Sequence, residues 1–512
     1  MLDNSSSNKR IAKNSIFLSI RMVMVLIMSL YTTRVVLQVL GVVDYGVYNV
    51  VCGFVAMFAF LNISMSNGIQ RFFNFEYGKN GEEGANKVYC TSIYIQTLLA
   101  LIVVVVVEIF GVWYLHNKMV IPEERMVAAR WIFQFSVFTF VVGIMQAPFT
   151  AAVVAHEKLD FYAIVSVADT ILKLGIAFLI KIIPVDKLIT YGAFIAVISL
   201  LNILAYYIYC KTNFKEIRFQ NGLDRRLFKS MLGFSGWNLF GSFSNMMRDQ
   251  GINLILNFFF GPVINAARGI AMQVNGGVTG LVTSILTPVR PQVVQSFAKG
   301  EMSRVMNLTY TISKFSLYFL LILSIPICVE IDFILNIWLG DVIPEHTQAF
   351  IIIILLTSAI LIPMSSQAAL VHASGNMRNY QVIGSIVKVL SVPIAYILMK
   401  LGYAPEWALV MVLLFDAIGL IVGMYIIRSI MLFSIMEYTK KVFLPVVPIA
   451  FITLAATWIV HGLIEIEIIR FLCVFFVGAL VSVCTIYFIG ITKEEKELIL
   501  KLIQSKLPSI KY

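Results

Sequence analysis

Long apolar segments recur along the whole chain, and short polar segments separate them. The runs are about twenty residues or more, as in residues 90–113, which is the length an α-helix needs to cross a bilayer. A membrane barrel would show shorter segments of alternating polarity instead. We therefore predict an all-α integral membrane protein with about 14 transmembrane helices, at residues 12–38, 45–71, 88–113, 127–150, 161–183, 188–210, 228–258, 262–289, 305–332, 347–371, 379–400, 406–428, 442–463 and 469–490.

Lys and Arg are concentrated in alternate connections between the predicted spans. The connection after the sixth span is strongly basic, whereas segments predicted on the other side are acidic, as at Glu345 and Glu465. Cytoplasmic loops carry the excess of Lys and Arg in membrane proteins. The pattern predicts a multi-pass protein with both termini cytoplasmic. The basic tail after residue 490 suits a helix on the inner membrane surface and equally a short solvated tail.

Composition agrees with a lipid environment, because 59% of the 512 residues are hydrophobic and 13% are charged, against about 25% charged in soluble domains. The net charge of +11 is explained by topology, so we expect no nucleic-acid partner. The six cysteines form no CxxC or Cys/His cluster, so no metal site and no cofactor are predicted. The motifs GxxxxGK[ST], HExxH and GxSxG are also absent from the sequence, and we predict that the protein is not an enzyme.

Two blocks of the sequence resemble copies of one unit. Gly41 in LQVLGVVDYG corresponds to Gly261 in NFFFGPVINA, and Lys79 corresponds to Lys299 at the same offset of 220 residues. An even number of spans per copy gives both copies one orientation. This predicts an N-lobe of helices 1–6 (residues 1–215), a pseudo-symmetric C-lobe of helices 7–12 (216–435), and helices 13–14 with a cytoplasmic tail (436–512). A cleft between two such lobes suits alternating access.

Polar and ionisable residues occur inside several predicted spans, where they are costly and mark functional sites by default. Those of the seventh span follow steps of three and four from Ser242 to Asn257, which places them on one face. Such a stripe either lines a polar cavity or pairs helices, and we favour a cavity. Cations outnumber acids, and Arg suits phosphate, so we predict that the cavity is cationic and takes an anionic substrate. The candidate binding residues are Arg34, Lys173, Arg248, Arg268 and Lys388, and the candidate ion-coupling acids are Asp169, Asp249 and Asp416.

Interpretations without a functional site remain open for several of these residues. Asp169 and Lys173 are spaced i and i+4, so a structural ion pair explains them about as well as a binding site does. Arg34 could extend to a membrane interface instead of facing a cavity. Asp416 is isolated in its span, and a satisfied buried acid is as good an interpretation as a proton or cation site.

The string VLGVVDYGVYNVV after the first span, followed by SNGIQRFFNFEYGK, resembles the polysaccharide flippases of the multidrug/oligosaccharidyl-lipid/polysaccharide exporter superfamily. The resemblance implies a protein of the bacterial inner membrane that moves a polyprenyl-diphosphate-linked oligosaccharide for O-antigen (lipopolysaccharide), capsule or exopolysaccharide assembly. It also implies membrane lipids, a polysaccharide polymerase and chain-length machinery as partners. Two related alternatives stay open: a multidrug and toxin extrusion-type cation/drug antiporter with twelve spans, and a lipid II flippase with fourteen.

Overall fold

The structure is a computed structural model, and it describes only part of the chain. It covers residues 4–492 and 495–496 except 157, 221, 223, 287–292, 294–295, 298–299, 341, 375–377 and 432. Side chains are not described at residues 4–23, nor at 67, 78, 159, 234, 235, 237, 238, 240, 284–286, 372 and 373. Most of the predicted cytoplasmic tail, residues 497–512, therefore lies outside the described residues.

The described chain is helical almost throughout, and no strand occurs within it. This confirms the predicted all-α fold class. The helices are α1 (Asn4–Ala56), α2 (Ala59–Asn117), α3 (Met126–Ala155), α4 (Leu159–Ile182), α5 (Lys187–Asn213), α6 (Arg225–Phe260), α7 (Pro262–Leu286), α8 (Met302–Val329), α9 (Ile331–Leu339), α10 (Thr347–Ser374), α11 (Arg378–Lys400), α12 (Glu406–Ile430), α13 (Ile435–Leu463) and α14 (Glu467–Gly490).

Eleven helices in the described residues are long and apolar enough to cross a membrane. The polar helices α6 and α7 are not among them, although their 36 and 25 residues give sufficient length. The second predicted span is divided between α1 and α2. The helix tightens between them, where the Phe58 N–H bonds the Val55 carbonyl at 3.1 Å and the Leu61 N–H bonds the Phe58 carbonyl at 3.1 Å. The short helix α9 was not predicted as a separate element.

Gly41 and Gly261 share an unusual backbone conformation. Gly41 interrupts α1 with φ 81° and ψ 168°, and Gly261 separates α6 from α7 with φ 78° and ψ −173°. This region is essentially restricted to glycine. The two positions are the ones that the repeat aligns, so the backbone supports an internal repeat at this point.

The chain divides into two compact units. The first contains Met1–Gln273, Trp338–Phe350 and Gln381–Phe415, and the second contains Val274–Ile337, Ile351–Tyr380 and Asp416–Tyr512. The lobe boundaries predicted at residues 215 and 435 stay a prediction. In the first unit α3 packs against α1, α2 and α5, and the buried apolar residues of α1, α2 and α3 form one core around Phe54 and Phe133. In the second unit α8 packs against α13 and α14.

An ion-pair bridge ties three elements of the first unit together. Arg125, which precedes α3, bonds both oxygens of Asp44 on α1 at 2.6 Å and also bonds Asp186, the residue that caps α5. Burial would raise the pKa of Asp186, but hydrogen bonds from Arg125 and from the Ile189 N–H outweigh it and hold the pKa below its usual value. The stability that Asp186 contributes is thus present at neutral pH and is lost as the pH falls through that lowered pKa.

We expect the substitution Arg125→Gln to lower the free energy of unfolding by about 1–3 kcal/mol, because it leaves two partly buried carboxylates without their cation. Thermal unfolding of the purified protein in detergent measures this. Lys87→Gln is the matched control, since the Lys87–Glu83 pair is exposed and its loss should change stability by less than about 0.5 kcal/mol. Equal effects of the two substitutions would contradict a structural role for the bridge.

Candidate functional site

A cluster of charged side chains forms in the first unit where α6, α7 and α11 meet. Arg248 and Asp249 pair on α6, with 3.0 Å between the Arg248 Nη2 and an Asp249 carboxylate oxygen. Arg268 on α7 donates from Nη2 to the main-chain carbonyl of Asp249 at 2.8 Å. Lys388 on α11 donates to the side-chain oxygen of Asn245 at 3.0 Å, one helical turn before Asp249. We call Arg248, Asp249, Arg268 and Lys388 the α6–α7–α11 cluster.

Arg268 is the most unusual member of this cluster. The residue is only 7% exposed, and its Nε is buried with no hydrogen-bond partner among the described residues. A buried donor without a partner costs about 1–3 kcal/mol, and more for a charged group. A ligand that supplies a hydrogen-bond acceptor to the Arg268 Nε would offset this cost.

Close packing along one face of α6 positions the cluster. A Cβ at Gly241 would lie 2.6 Å from the Gln381 Oε1, and a Cβ at Gly251 would lie 3.1 Å from the Val392 Cγ1. Glycine at these two positions therefore lets α11 approach α6 on both sides of Lys388. Further along α6, the side chain of Asn257 bonds both the N–H and the carbonyl of Val120, at 3.0 and 3.2 Å.

Neutral amides extend the polar face of α6 beyond the charged cluster. Asn265 on α7 donates to the carbonyl and the side-chain oxygen of Asn253, at 2.8 and 2.9 Å. A Cβ at Gly53 on α1 would lie 2.7 Å from both the Asn253 Nδ2 and the Gln250 Oε1. The predicted polar stripe is thus in contact with α1 and α7, and most of its amides between residues 250 and 265 bond each other.

A neutral polar pocket of about 310 Å³ lies between α2 and α3 of the same unit. Ser66 donates to Asn62 at 3.3 Å, and Asn62 donates to the Gly143 carbonyl at 3.4 Å. Gln70 has no hydrogen-bond partner among the described residues. The polar residues that line the pocket are Asn62, Ser66, Gln70, Gln146 and Thr150. This pocket was not predicted from the sequence, although the i, i+4 spacings of Asn62–Ser66 and Gln146–Thr150 could have indicated it.

The remaining predicted residues lie elsewhere. Asp169 accepts from Lys173 at 2.7 Å and from Asn202 on α5 at 2.7 Å, so both charges are engaged within the α4–α5 pair, as the structural-ion-pair interpretation describes. Arg34 is half-buried on α1 and has interactions of its own; the neighbouring Thr33 bonds Gln273 on α7. Asp416 belongs to the second unit, where it is fully buried and engaged.

No group of three or more His, Cys, Asp or Glu residues that could hold a metal ion occurs in the described residues. The described cysteines are unpaired thiols. The α6–α7–α11 cluster offers Arg, Lys and amide donors, which bind anions and hydroxyl groups through hydrogen bonds.

Comparison with known proteins finds one matching family and several solved structures with a similar fold. Residues 18–179 match the family described as MatE, whereas no curated protein matches the chain significantly. The structure is similar to that of the lipid II flippase MurJ in an inward closed conformation, with a TM-score of 0.71 and 15% identity over 95% of this chain and 100% of that one.

Two further solved structures show the same fold. An inward-facing multidrug resistance MATE family transporter of the MOP superfamily gives a TM-score of 0.60 at 14% identity, covering 78% of this chain and 94% of that chain. A MOP superfamily transporter from Pyrococcus furiosus gives 0.57 at 14% identity, covering 81% and 95%. The chain therefore carries a MatE region over residues 18–179 and has the multi-pass helical fold that MurJ and the MATE transporters share.

Proposed function

We propose that this protein is a transporter that moves a polyprenyl-diphosphate-linked oligosaccharide across the bacterial inner membrane by alternating access, for assembly of O-antigen, capsule or exopolysaccharide. The observation that carries the proposal is the buried Arg268, whose Nε lacks a partner among the described residues. Its neighbours Arg248 and Lys388 add two cations against the single carboxylate of Asp249. This excess of positive charge suits a diphosphate.

The donor groups of the cluster also suit a diphosphate chemically. The planar guanidinium of Arg bonds phosphate oxygens in pairs, and each such charge-assisted bond is about twice as strong as a neutral one. Arg268 donates from Nη2 to the Asp249 carbonyl. Its Nε has no partner among the described residues and is available to a ligand. Lys388 donates to the neutral amide oxygen of Asn245, and a phosphate oxygen would be a stronger acceptor for its ammonium group.

The neutral pocket between α2 and α3 suits the sugar part of the same substrate. Amide and hydroxyl side chains donate and accept hydrogen bonds without adding charge, which matches the hydroxyl groups of a saccharide. The volume of about 310 Å³ is comparable to one or two sugar rings, and Gln70 is available to bond them. A charged headgroup and a neutral glycan would then bind two different parts of the first unit.

A lipid II flippase would also need cations for a diphosphate, and the similarity to MurJ is compatible with that alternative. A cation/drug antiporter is compatible with the shared fold, but the excess of cations in the α6–α7–α11 cluster disfavours a cationic cargo. Deletion of the gene separates the three. The proposal predicts that an undecorated surface and a lipid-linked glycan facing the cytoplasm result, with normal growth of the cell wall and unchanged drug sensitivity.

Accumulation of lipid II after deletion would instead identify a cell-wall flippase, and hypersensitivity to cationic drugs would identify an exporter of drugs. We propose the polysaccharide polymerase and chain-length machinery as partners, because they consume the flipped glycan. Co-purification with such a polymerase from cells that make the polysaccharide tests that part of the proposal.

Among the candidate coupling acids, we propose Asp249 for an ion or proton that accompanies transport. Its side chain is 37% exposed, whereas Asp169 is held by Lys173 and Asn202 and Asp416 is fully buried. Exposure lets an ion reach Asp249, and the adjacent guanidinium of Arg248 would respond to a change in its charge. The variant Asp249→Asn should remove the dependence of transport on a pH or sodium gradient, while Asp169→Asn should keep it.

We expect both termini to be cytoplasmic. A cysteine introduced at Asn213, at the basic end of α5, should resist a membrane-impermeant thiol reagent in intact cells, while one at Asn117, at the end of α2, should react. Both positions are exposed, so access alone decides the result. The exposed Cys484 is replaced by Ala in the parent protein. The reverse labelling pattern would overturn the orientation.

A further inference from the structure

A cationic cavity lies in the second unit, far along the chain from the α6–α7–α11 cluster. It has a volume of about 700 Å³ and is formed by one end of α8, the start of α13 and the residues that end and follow α14. We call it the lysine pocket, and its polar side chains are Asn307, Tyr310, Thr311, Lys314, Lys440, Lys441, Thr492 and Glu495.

Irregular helix geometry occurs on two sides of this pocket. A π-helical segment runs from Thr439 to Phe443 at the start of α13, and another runs from Ile486 to Gly490 at the end of α14. Segments of this kind are rare and are frequently found at functional sites. Gly490 is fixed in place as well, because Tyr318 donates to its carbonyl at 3.0 Å and a Cβ there would lie 2.7 Å from the Tyr318 oxygen.

One of the three lysines is neutralised by the pocket itself. Lys314 is buried and bonds both oxygens of Glu495, at 2.9 and 2.7 Å. The carboxylate of Glu495 also accepts from the Thr492 N–H at 2.9 Å, and the hydroxyl of Thr492 accepts from the Glu495 N–H at 3.3 Å. These two reciprocal bonds form a capping box. Burial would raise the pKa of Glu495, but these bonds outweigh it and hold the pKa below its usual value. The Lys314–Glu495 pair is therefore a fixed wall of the pocket.

The other two lysines leave a positive charge uncompensated. Lys441 bonds Glu437 at 2.6 Å and lies 5.6 Å from the ring of Tyr310. Lys440 has no hydrogen-bond or ion-pair partner within the described residues, and neither do Asn307 and Thr311 across the pocket. A cation and two neutral polar groups that line one cavity without a partner in the described residues are a donor set that suits a phosphate.

The position of the pocket indicates where such a phosphate comes from. Lys440 and Lys441 lie in the first two turns of α13, and Thr492 and Glu495 come directly after α14. Both helices are apolar enough to cross a membrane, so their common end lies at the depth of lipid headgroups. Basic pockets between transmembrane helices at this depth bind the headgroups of anionic lipids.

We propose that the lysine pocket binds the phosphate group of an anionic membrane phospholipid. Lys440 supplies the main charge, Lys441 shares its ammonium between Glu437 and the phosphate, and Asn307 and Thr311 bond the remaining oxygens. A bound lipid would join α8 to the α13–α14 pair at the membrane surface. The proposal does not depend on what the protein transports, because it concerns a different unit and a different ligand.

Thermal unfolding of the purified full-length protein in detergent tests the site, with phosphatidylglycerol, phosphatidylcholine or inorganic phosphate added. Phosphatidylglycerol is expected to raise the unfolding temperature in a saturable way, and phosphatidylcholine is not. The double variant Lys440→Gln/Lys441→Gln should need about 30-fold more phosphatidylglycerol for the same rise, from two lost lysine–lipid attractions. Lys87→Gln/Lys215→Gln is the control, since it removes two exposed lysines that also face carboxylates.

An unchanged response of the Lys440/Lys441 variant, or an equal loss in the control, would overturn the proposal. Stabilisation by inorganic phosphate with no further gain from phosphatidylglycerol would also overturn it, because the source would then be free phosphate. Native mass spectrometry gives a second readout if the double variant unfolds early. The wild-type protein should retain one more phosphatidylglycerol molecule than the variant, and equal retention would count against the site.

Discussion

Replacing Arg268 with alanine is expected to reduce transport of a diphosphate-linked lipid by about 10- to 150-fold, the effect of losing one or more hydrogen bonds to a charged ligand. Arg268 is buried beside Asp249 and keeps one donor without a partner among the described residues. Arg268→Lys should restore only part of the activity, because an ammonium lacks the planar fork that bonds two phosphate oxygens. Initial rates in proteoliposomes measure both variants.

Two controls separate this effect from a general loss of charge or of folding. Arg130→Ala removes an arginine that is exposed on α3 and has no partner within the described residues, and it should leave the rate unchanged. Arg268→Met keeps the length of the side chain without its charge, so it should lose activity while its unfolding temperature stays close to that of the wild-type protein. Full transport by Arg268→Met would exclude Arg268 from substrate binding.

Replacing Gly46 with alanine is expected to cause a large loss of stability. A Cβ at Gly46 would lie 1.9 Å from the carbonyl oxygen of Pro262 and 2.5 Å from its carbonyl carbon. These are main-chain atoms at the start of α7, so no side chain can rotate out of the way. Overpacking commonly costs about 1–3 kcal/mol and sometimes more, and we expect this case to reach or exceed the upper end.

Gly175 provides the matched control for Gly46. It also lies within a helix, α4, but a Cβ there would meet no atom within 4 Å. Gly175→Ala should therefore be neutral or stabilising, since alanine is favoured over glycine in a helix by about 0.5–1 kcal/mol. The abundance of each variant in membranes and its unfolding temperature in detergent give the comparison. A Gly46→Ala protein as stable as Gly175→Ala would show that α1 and α7 do not pack as closely as described.

The fold was predictable to a large extent because its signals are local. The length and composition of apolar runs identify membrane helices without knowledge of any partner, and most of the predicted spans correspond to a described helix. The repeat was visible for a similar reason. Gly41 and Gly261 occupy a backbone conformation that excludes other residues, so the constraint is present in the sequence itself.

The candidate site was predictable only in part, because contacts between helices depend on packing that periodicity does not specify. Steps of three and four placed Asp249 on one face of α6, but they did not indicate that Arg268 would bond its main-chain carbonyl. Lys388 was predicted as a binding cation, yet its contact with Asn245 depends on the glycines that let α11 approach α6.

Charge alone did not indicate which of the predicted charged residues contact each other, and it did not reveal either pocket. Asp169 and Lys173 bond each other, with Asn202 as a third partner. The neutral pocket between α2 and α3 was missed because the prediction was based on ionisable residues. Amides and hydroxyls are uncharged and are common in membrane helices. The lysine pocket was missed because its members come from three segments far apart in the chain.

Reconstitution of the purified protein tests the proposed cargo most directly. Proteoliposomes would contain a fluorescent oligosaccharide linked through a diphosphate to a short polyprenyl chain, and a membrane-impermeant quencher would report the fraction that crosses the bilayer. We expect crossing well above that of protein-free vesicles, little affected by Arg130→Ala and largely lost with Arg268→Met. No crossing above the protein-free background, together with uptake of a cationic drug into the same vesicles under a proton or sodium gradient, would contradict the proposed cargo.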